Sequence, residues 1–194
     1  MNNITFLFST YQILTLSWIA MEICLIVFDF WKNKKAAKDH GTLWWLTGCI
    51  LVGFYGAAKI AVRLPEFSVS ESYFITVTIL ACLMIAIGIS LRLWVVYKLG
   101  KLFRRVIVAQ PDEHVLTSGI FKFIRHPSYL GLILATVGIV LGWGNIAALL
   151  FMVGAVMSGL YPRIILEERH LQQYMTGYAE YMQKTHWRLL PYIW

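Results

Sequence analysis

Long apolar runs separated by short polar stretches make up most of this chain of 194 residues. A helix in lipid must satisfy its own backbone hydrogen bonds, and it needs about 20 apolar residues to cross a hydrocarbon core roughly 30 Å thick. Five runs are candidates, at residues 11–31, 42–61, 73–97, 128–141 and 145–166. The pattern therefore predicts an all-α fold, an integral membrane bundle of five transmembrane helices.

The fourth run is short for a complete crossing and is followed directly by a tight turn. Gly142, Trp143, Gly144 and Asn145 form this turn, so runs four and five are predicted to make a helical hairpin. Gly138 and Gly142 form a GxxxG pattern, which allows helix backbones to approach closely. Two interpretations stay open: close contact between the hairpin helices, or the ordinary abundance of glycine in membrane helices.

Composition supports the membrane assignment. Hydrophobic residues are 59% of the chain and charged residues 14%, and the mean hydropathy is +0.65. The first ten residues lack the basic region and small-residue cleavage site of a signal peptide, so we expect the first run to remain. The lipid bilayer is thus the first predicted partner.

The distribution of Lys and Arg predicts the orientation. The segments after runs one and three are rich in Lys and Arg, whereas the segment after run two is not and the hairpin turn is uncharged. Basic residues near span ends stay on the cytosolic side, which places the N-terminus outside and the C-terminal tail inside. The net charge of +7 is then a topology signal with attraction to anionic lipids, and no nucleic-acid partner is expected.

Four ionisable residues lie inside apolar runs. Asp29, Lys59 and Arg92 are close enough to run ends for their polar groups to reach the interface, and we favour that interpretation. Glu22 is nearer the middle of its run, so it is expected to face the bundle interior, protonated or paired. A structural hydrogen bond is the favoured role, and a place on a substrate or proton path is the alternative.

Metal binding is not expected. Cys24, Cys49 and Cys82 stand singly in three different runs, and the histidines form neither an HExxH nor an HxxxH array. The cysteines are interpreted as small packing residues.

Two polar clusters adjoin the last two apolar runs on the predicted cytosolic side. Arg125, His126 and Tyr129 stand at the start of run four, and Arg163 and Glu167 stand four residues apart at the end of run five. Two clusters at one membrane face predict one site. The alternative from spacing alone is a helix salt bridge between Arg163 and Glu167.

The flanking segments are predicted to enclose that site. Residues 109–124 form a cytosolic loop with aromatic side chains, although a loop that merely lies on the membrane has the same composition. Acidic and tyrosine residues recur at helical spacing from Glu167 to Tyr181, which predicts an amphipathic cytosolic helix. A C-terminal helix and a loop would together form the pocket.

The motifs of the last part of the chain resemble those of a known family. SGIF, RHPSYLG, RIILEE, TGYAEYMQKT and LLPYI follow one another in the order found in the isoprenylcysteine carboxyl methyltransferases. The resemblance covers residues 109–194. It divides the chain into an N-terminal three-span membrane region, residues 1–108, and a catalytic region, residues 109–194.

The resemblance implies an integral membrane enzyme, a protein-S-isoprenylcysteine O-methyltransferase. Such an enzyme transfers a methyl group from S-adenosyl-L-methionine to the C-terminal carboxylate of a prenylated cysteine at the cytosolic face and releases S-adenosyl-L-homocysteine. By position, Arg163 matches the family arginine near the substrate carboxylate. The implied cofactor-binding residues are Gln110, His114, Val115, Leu116, Thr117, Phe121, His126, Pro127, Ser128, Tyr129 and Glu167.

Three features depart from the family pattern. Phe121 stands where the family often has Tyr, the loop from Gln110 to His114 is shorter than in eukaryotic relatives, and there are fewer spans.

A prenyl chain would reach the site sideways from lipid, and Gly131, Leu132 and Leu134 are candidate lining of that passage.

Other functions stay open at this point. Phospholipid N-methyltransferases share a looser version of the motifs but act on a neutral amine. Sterol reductases also contain RHPxYxG and use NADPH. A transporter or small channel is the non-enzymatic alternative, and it predicts no affinity for S-adenosyl-L-homocysteine.

Overall fold

The computed structural model describes residues 3–32, 41–100 and 115–194. Over these ranges it contains six α-helices and two short 3-10 helices, with isolated bridges but no extended β-strand. The α-helices are α1 (Asn3–Lys32), α2 (Thr42–Arg63), α3 (Glu71–Leu99), α4 (Pro127–Leu141), α5 (Ile146–Tyr174) and α6 (Tyr178–Lys184). The predicted all-α class is confirmed.

Four of the helices, α1, α2, α3 and α5, are long and apolar enough to cross a membrane. Helix α4 has 15 residues, so it spans about 22 Å, less than a hydrocarbon core of roughly 30 Å. The protein is thus an integral membrane bundle with four candidate spans and a shorter apolar helix. A fifth complete crossing stays a prediction.

Helices α4 and α5 form the predicted hairpin, but each packs mainly on another helix: α4 on α3, and α5 on α2. A Cβ atom on Gly138 would lie 3.2 Å from the carbonyl oxygen of Ala81 in α3, and one on Gly142 would lie 2.3 Å from the ring of Tyr11 in α1. The hypothesis that this glycine pair brings the hairpin helices together is therefore wrong. These glycines make room for α3 and α1.

The two connections predicted to lie outside share one end of the bundle. The Asn145 side chain donates to the carbonyl of Leu64 (2.9 Å), and the Val69 amide donates to the carbonyl of Gly144 (2.6 Å). The first turn of α4 and the C-terminal tail lie at the opposite end. Which end faces the cytosol stays a prediction.

Helix α5 continues beyond its apolar run as far as Tyr174, and α6 follows as a separate short helix. Gly177 between them has a φ of 80°, a left-handed conformation that ends helical geometry at little steric cost to glycine. The prediction of one amphipathic tail helix is therefore wrong. Its first half extends α5, and its second half is α6.

Pro162 lies inside α5 and has no N–H to donate to the carbonyl of Ser158. The indole N–H of Trp45 in α2 donates to that carbonyl instead, at 3.2 Å. A side chain of a neighbouring helix thus satisfies the backbone group that proline leaves open, as membrane interiors require. Arg163 follows immediately.

Candidate active site

Glu168 of α5 is the centre of a buried ionic cluster at the start of α4. Its carboxylate accepts from Arg125 Nε at 2.7 Å and from Arg188 Nε at 2.9 Å, and it lies 3.1 Å from His126 Nε2. Only 4% of Glu168 is exposed. One carboxylate therefore joins α5, the segment before α4 and the C-terminal tail.

Arg125 also holds the tail through its backbone. Its Nη1 donates to the carbonyl oxygens of Thr185 (2.7 Å) and His186 (2.8 Å), and its own amide donates to the carbonyl of Trp187 (2.9 Å). The amide of His126 continues the pairing to Arg188 at 2.9 Å. The tail thus lies against the RHPSY segment.

Tyr129 links the two polar clusters that the sequence predicted would meet. Arg163 Nε donates to the Tyr129 hydroxyl at 2.8 Å, and that hydroxyl donates to Glu167. Arg163 Nη1 also donates to Thr42 Oγ1 of α2 at 3.0 Å, and Arg163 is 2% exposed. The phenol therefore connects Arg163 and Glu167, and the cluster is more than a helix salt bridge.

A cavity of about 910 Å³ begins at this cluster and extends into the bundle. That volume is at the upper end of the range for small-molecule sites. Polar groups line one part, including His126, Tyr129, Arg163 and Glu167, with Tyr178 and Tyr181 of α6 beside them. Leu16, Ile19, Ile50, Phe54, Leu132 and Ile139 are among the apolar residues that line the rest.

The segment before α4 forms one wall of the polar part. Phe121 lies in the short helix Gly119–Lys122, with its ring stacked on Trp94 at a centroid distance of 6.1 Å. The Tyr181 hydroxyl donates to the carbonyl of Phe121 at 2.7 Å. Burial raises the pKa of Tyr181 to about 12, so the phenol keeps its proton and remains a donor at neutral pH.

Most of the predicted site residues line this one cavity. They are Val115, Leu116, Phe121, His126, Pro127, Ser128, Tyr129, Arg163 and Glu167. Thr117 is exposed and is not part of the lining, and Gln110 and His114 lie outside the described residues. Binding roles for all of them stay predictions.

Of the three residues suggested for a lipid passage, Leu132 lines the cavity. Gly131 does not, because it faces α3: a Cβ atom there would lie 2.8 Å from the carbonyl of Gly88. Leu134 is not part of the lining either.

The charged residues within the apolar runs lie in different environments. Lys59 is exposed, and its reach to the interface stays a prediction. The side chain of Asp29 lies outside the described residues. Arg92 is 3% exposed and binds both carboxylate oxygens of Glu22. The expectation that Arg92 reaches the interface is therefore wrong, and it supplies the partner that the sequence did not identify for Glu22.

Sequence reasoning also missed Glu168 and Arg188. Glu168 follows Glu167 directly, and position alone did not show that the two carboxylates have different partners. Arg188 lies 20 residues further along the chain. The only signal in the sequence was the position of Glu168, an acidic residue at a predicted membrane boundary. Arginines in two other segments were possible partners for it.

Fold and site together define an integral membrane protein with a ligand-sized cavity between a polar cluster and an apolar interior. Residues 79–173 match the isoprenylcysteine carboxyl methyltransferase family. Protein-S-isoprenylcysteine O-methyltransferase B of Arabidopsis thaliana is 34% identical over 175 residues, which cover 84% of this chain and 88% of that protein. The chain belongs to this family, so the predicted resemblance and the methyltransferase class are confirmed.

Fungal relatives are longer. The protein-S-isoprenylcysteine O-methyltransferase of Schizosaccharomyces pombe is 26% identical over 75% of this chain and 66% of its own length. That of Saccharomyces cerevisiae is 29% identical over 55% of this chain and 46% of its own length. The chain thus spans just under two thirds of one fungal relative and less than half of the other.

Proposed function

We propose that this protein transfers a methyl group from S-adenosyl-L-methionine to the C-terminal carboxylate of a prenylated cysteine, at the cytosolic face of a membrane. The observation that supports this best is one cavity in which Tyr129, Arg163 and Glu167 line a polar part and apolar side chains line the rest. A water-soluble donor and a lipid-linked acceptor need such a combination. The relatives' names give O-methylation of a protein-S-isoprenylcysteine, which supports this class of acceptor.

The polar part of the cavity suits the methyl donor. Glu167 lines it with 24% of its side chain exposed, whereas Glu168 beside it is 5% exposed and held by two arginines. Glu167 can therefore accept hydrogen bonds from the amino or hydroxyl groups of a bound molecule. Val115, Leu116 and Phe121 supply apolar wall for an adenosine moiety.

The reaction requires little acid–base catalysis by the protein. S-adenosyl-L-methionine, when bound, supplies an electrophilic methyl group on a sulfonium sulfur. The acceptor carboxylate has a reference pKa of about 4 and is ionised at neutral pH, so its attack moves no proton and needs no general base. The contribution of the chain is alignment of the reacting groups and removal of water from the carboxylate.

Arg163 is the proposed anchor for that carboxylate. It lines the polar part of the cavity, with Nε fixed by Tyr129 and Nη1 by Thr42. A guanidinium held from both sides is preorganised, and Arg–carboxylate pairs add directional hydrogen bonds to their charge attraction. The acceptor would thus be held beside the donor.

The prenyl chain is proposed to occupy the channel between α1 and α2. The backbones of these helices hardly approach each other over the described residues. Leu16, Ile19 and Ile23 of α1 line the cavity and are between 41% and 65% exposed. A lateral opening of the channel between these two helices is therefore part of the proposal. Each CH₂ kept out of water contributes about 0.8 kcal/mol, which favours entry from lipid.

Two measurements on the full chain in detergent test the function. We expect S-adenosyl-L-homocysteine to bind, and labelled methyl to appear on N-acetyl-farnesylcysteine. Phosphatidylethanolamine and NADPH serve as the competing acceptor and the competing cofactor. Methylation of the amine lipid but not of the prenylcysteine, or binding of NADPH alone, would refute the proposal.

Replacing Glu167 by glutamine is expected to weaken S-adenosyl-L-homocysteine binding by roughly 10-fold to 100-fold, the effect of losing a hydrogen bond to a charged group. The Michaelis constant for the prenylcysteine should change by less than about threefold, because no acceptor contact is assigned to Glu167. Calorimetric titration and initial rates measure the two effects. The control is Glu180→Gln, at an exposed position in α6. Equal weakening of donor and acceptor would contradict this division of roles.

A further inference from the structure

A second buried ionic group joins α1, α3 and the first turn of α4 at the cavity. Both carboxylate oxygens of Glu22 in α1 accept from Arg92 in α3, one from Nε and the other from Nη2 at 2.9 Å. The third nitrogen, Nη1, donates to Ser128 Oγ at 2.8 Å and to the Ser128 carbonyl at 3.3 Å. Glu22, Arg92 and Ser128 all line the cavity.

Packing of α3 on α4 does not require this group. A Cβ atom on Gly88 would lie 2.7 Å from the carbonyl of Gly131, and one on Gly138 would lie 3.0 Å from Cβ of Met84. The two helices are thus in backbone contact along their length through small residues. Burying two charges inside a membrane bundle is costly, so a role beyond helix association is indicated.

The distinctive contact of the Glu22–Arg92 group is with the first turn of α4, which it holds in place. That turn begins at His126, whose side chain makes no capping hydrogen bond to the backbone, and continues with Pro127, which has no N–H. The same turn presents His126 to Glu168 and Tyr129 to Glu167, with the two rings stacked at a centroid distance of 5.6 Å. A displacement of Ser128 therefore moves both side chains.

We propose that Glu22 and Arg92 are positioning residues for methyl transfer. The Glu22 carboxylate orients the Arg92 guanidinium, which in turn holds Ser128. This fixes the first turn of α4 against Glu167 and Glu168 of α5. They act through Ser128 and not on the reacting atoms. The inference rests on the proposed function, because the turn matters through the donor site it forms. It assigns Glu22 a role within the site, beyond a hydrogen bond that only supports the helix.

A double-mutant cycle tests the connection. Arg92→Lys keeps a charge for Glu22 but cannot reach Glu22 and Ser128 together, since the ammonium lacks the planar fork. We expect it to weaken S-adenosyl-L-homocysteine binding roughly tenfold, and Ser128→Ala to do so severalfold, each by loss of a charge-assisted hydrogen bond. Because one acts through the other, the combined variant should bind no more weakly than the weaker-binding single variant.

Multiplicative effects in the combined variant would overturn the proposal, and so would unchanged affinity in Arg92→Lys. A purely structural role is distinguished by thermal melting in detergent, because it lowers the melting temperature without changing the affinity of the folded fraction. Thr78→Val is the control, because this buried hydroxyl of α3 donates to the carbonyl of Phe74 in its own helix.

A variant without either charge removes the concern about folding. Glu22→Leu combined with Arg92→Met removes both charges of the pair together. Replacing a buried ion pair by hydrophobic residues of similar volume is often neutral or stabilising, so this variant is expected to fold. It should show the same loss of cofactor affinity as Arg92→Lys, with the Michaelis constant for the acceptor changed by less than about threefold. Wild-type affinity would overturn the proposal. If the wild-type chain binds S-adenosyl-L-homocysteine but methylates no prenylcysteine, the proposed function fails while the cycle, read by binding, still decides this inference.

Discussion

Alanine in place of Arg163 is expected to lower kcat/KM for a prenylcysteine acceptor by roughly 10²-fold, because the acceptor carboxylate loses the group that binds it and aligns it with the methyl donor. Arg163 is 2% exposed, and its guanidinium is held in place by Tyr129 and Thr42. Affinity for S-adenosyl-L-homocysteine should fall much less, because the anchor acts on the acceptor. Initial rates over a range of acceptor concentrations, with binding measured in parallel, test this.

Two further variants separate charge from geometry. Arg163→Lys keeps the positive charge but loses the fork that contacts Tyr129 and Thr42 together, so part of the activity should return. Arg169→Ala removes an exposed arginine of the same helix and should change neither constant. If Arg163→Ala lost donor affinity and acceptor use equally while folding normally, Arg163 would not be the acceptor anchor.

The sequence predicted the helices well because apolar length alone decides whether a segment can cross a membrane. It also predicted that the RHPSY segment and the Arg163–Glu167 pair would share a site, since both adjoin the same face. Orientation within the membrane rests on the Lys and Arg distribution and remains a prediction. The short helix α4 shows where this reasoning stops. A count of apolar residues does not establish whether a helix of 15 residues crosses the membrane.

Partners across the bundle were not predictable in the same way. The GxxxG pattern allowed a close approach at Gly138 and Gly142, but it did not indicate that the approaching groups are α3 and Tyr11 of α1. The pairing of Glu22 with Arg92 joins residues 70 positions apart, and periodicity within one helix contains no information on such contacts. In the tail, helical spacing continued through Gly177, whose left-handed backbone ends the pattern.

Removing the Glu168 carboxylate is expected to have the largest effect on stability. Its loss in Glu168→Ala leaves Arg125 and His126 buried without their shared acceptor, and breaking such a buried ion pair costs about 3–5 kcal/mol. The effect should concentrate where the cluster joins the tail to α4, because Arg125 also binds the carbonyls of Thr185 and His186. We therefore expect residues 175–194 to detach before the membrane helices separate.

Limited proteolysis distinguishes this local release from global unfolding. Trypsin should cut Glu168→Ala after Lys184 and Arg188 at least tenfold faster than wild type, since cleavage follows the population of the open form. Peptides from the membrane helices should not appear sooner. Glu168→Gln keeps an acceptor oxygen without the charge and should be intermediate, whereas Glu180→Gln, on the exposed side of α6, should match wild type.

Because Tyr178 and Tyr181 line the cavity, release of the tail also opens the polar part of the site, and cofactor affinity should fall in proportion to the cleavage rate. A Glu168→Ala protein as resistant to trypsin as Glu180→Gln would show that the backbone pairing of the tail suffices without the carboxylate.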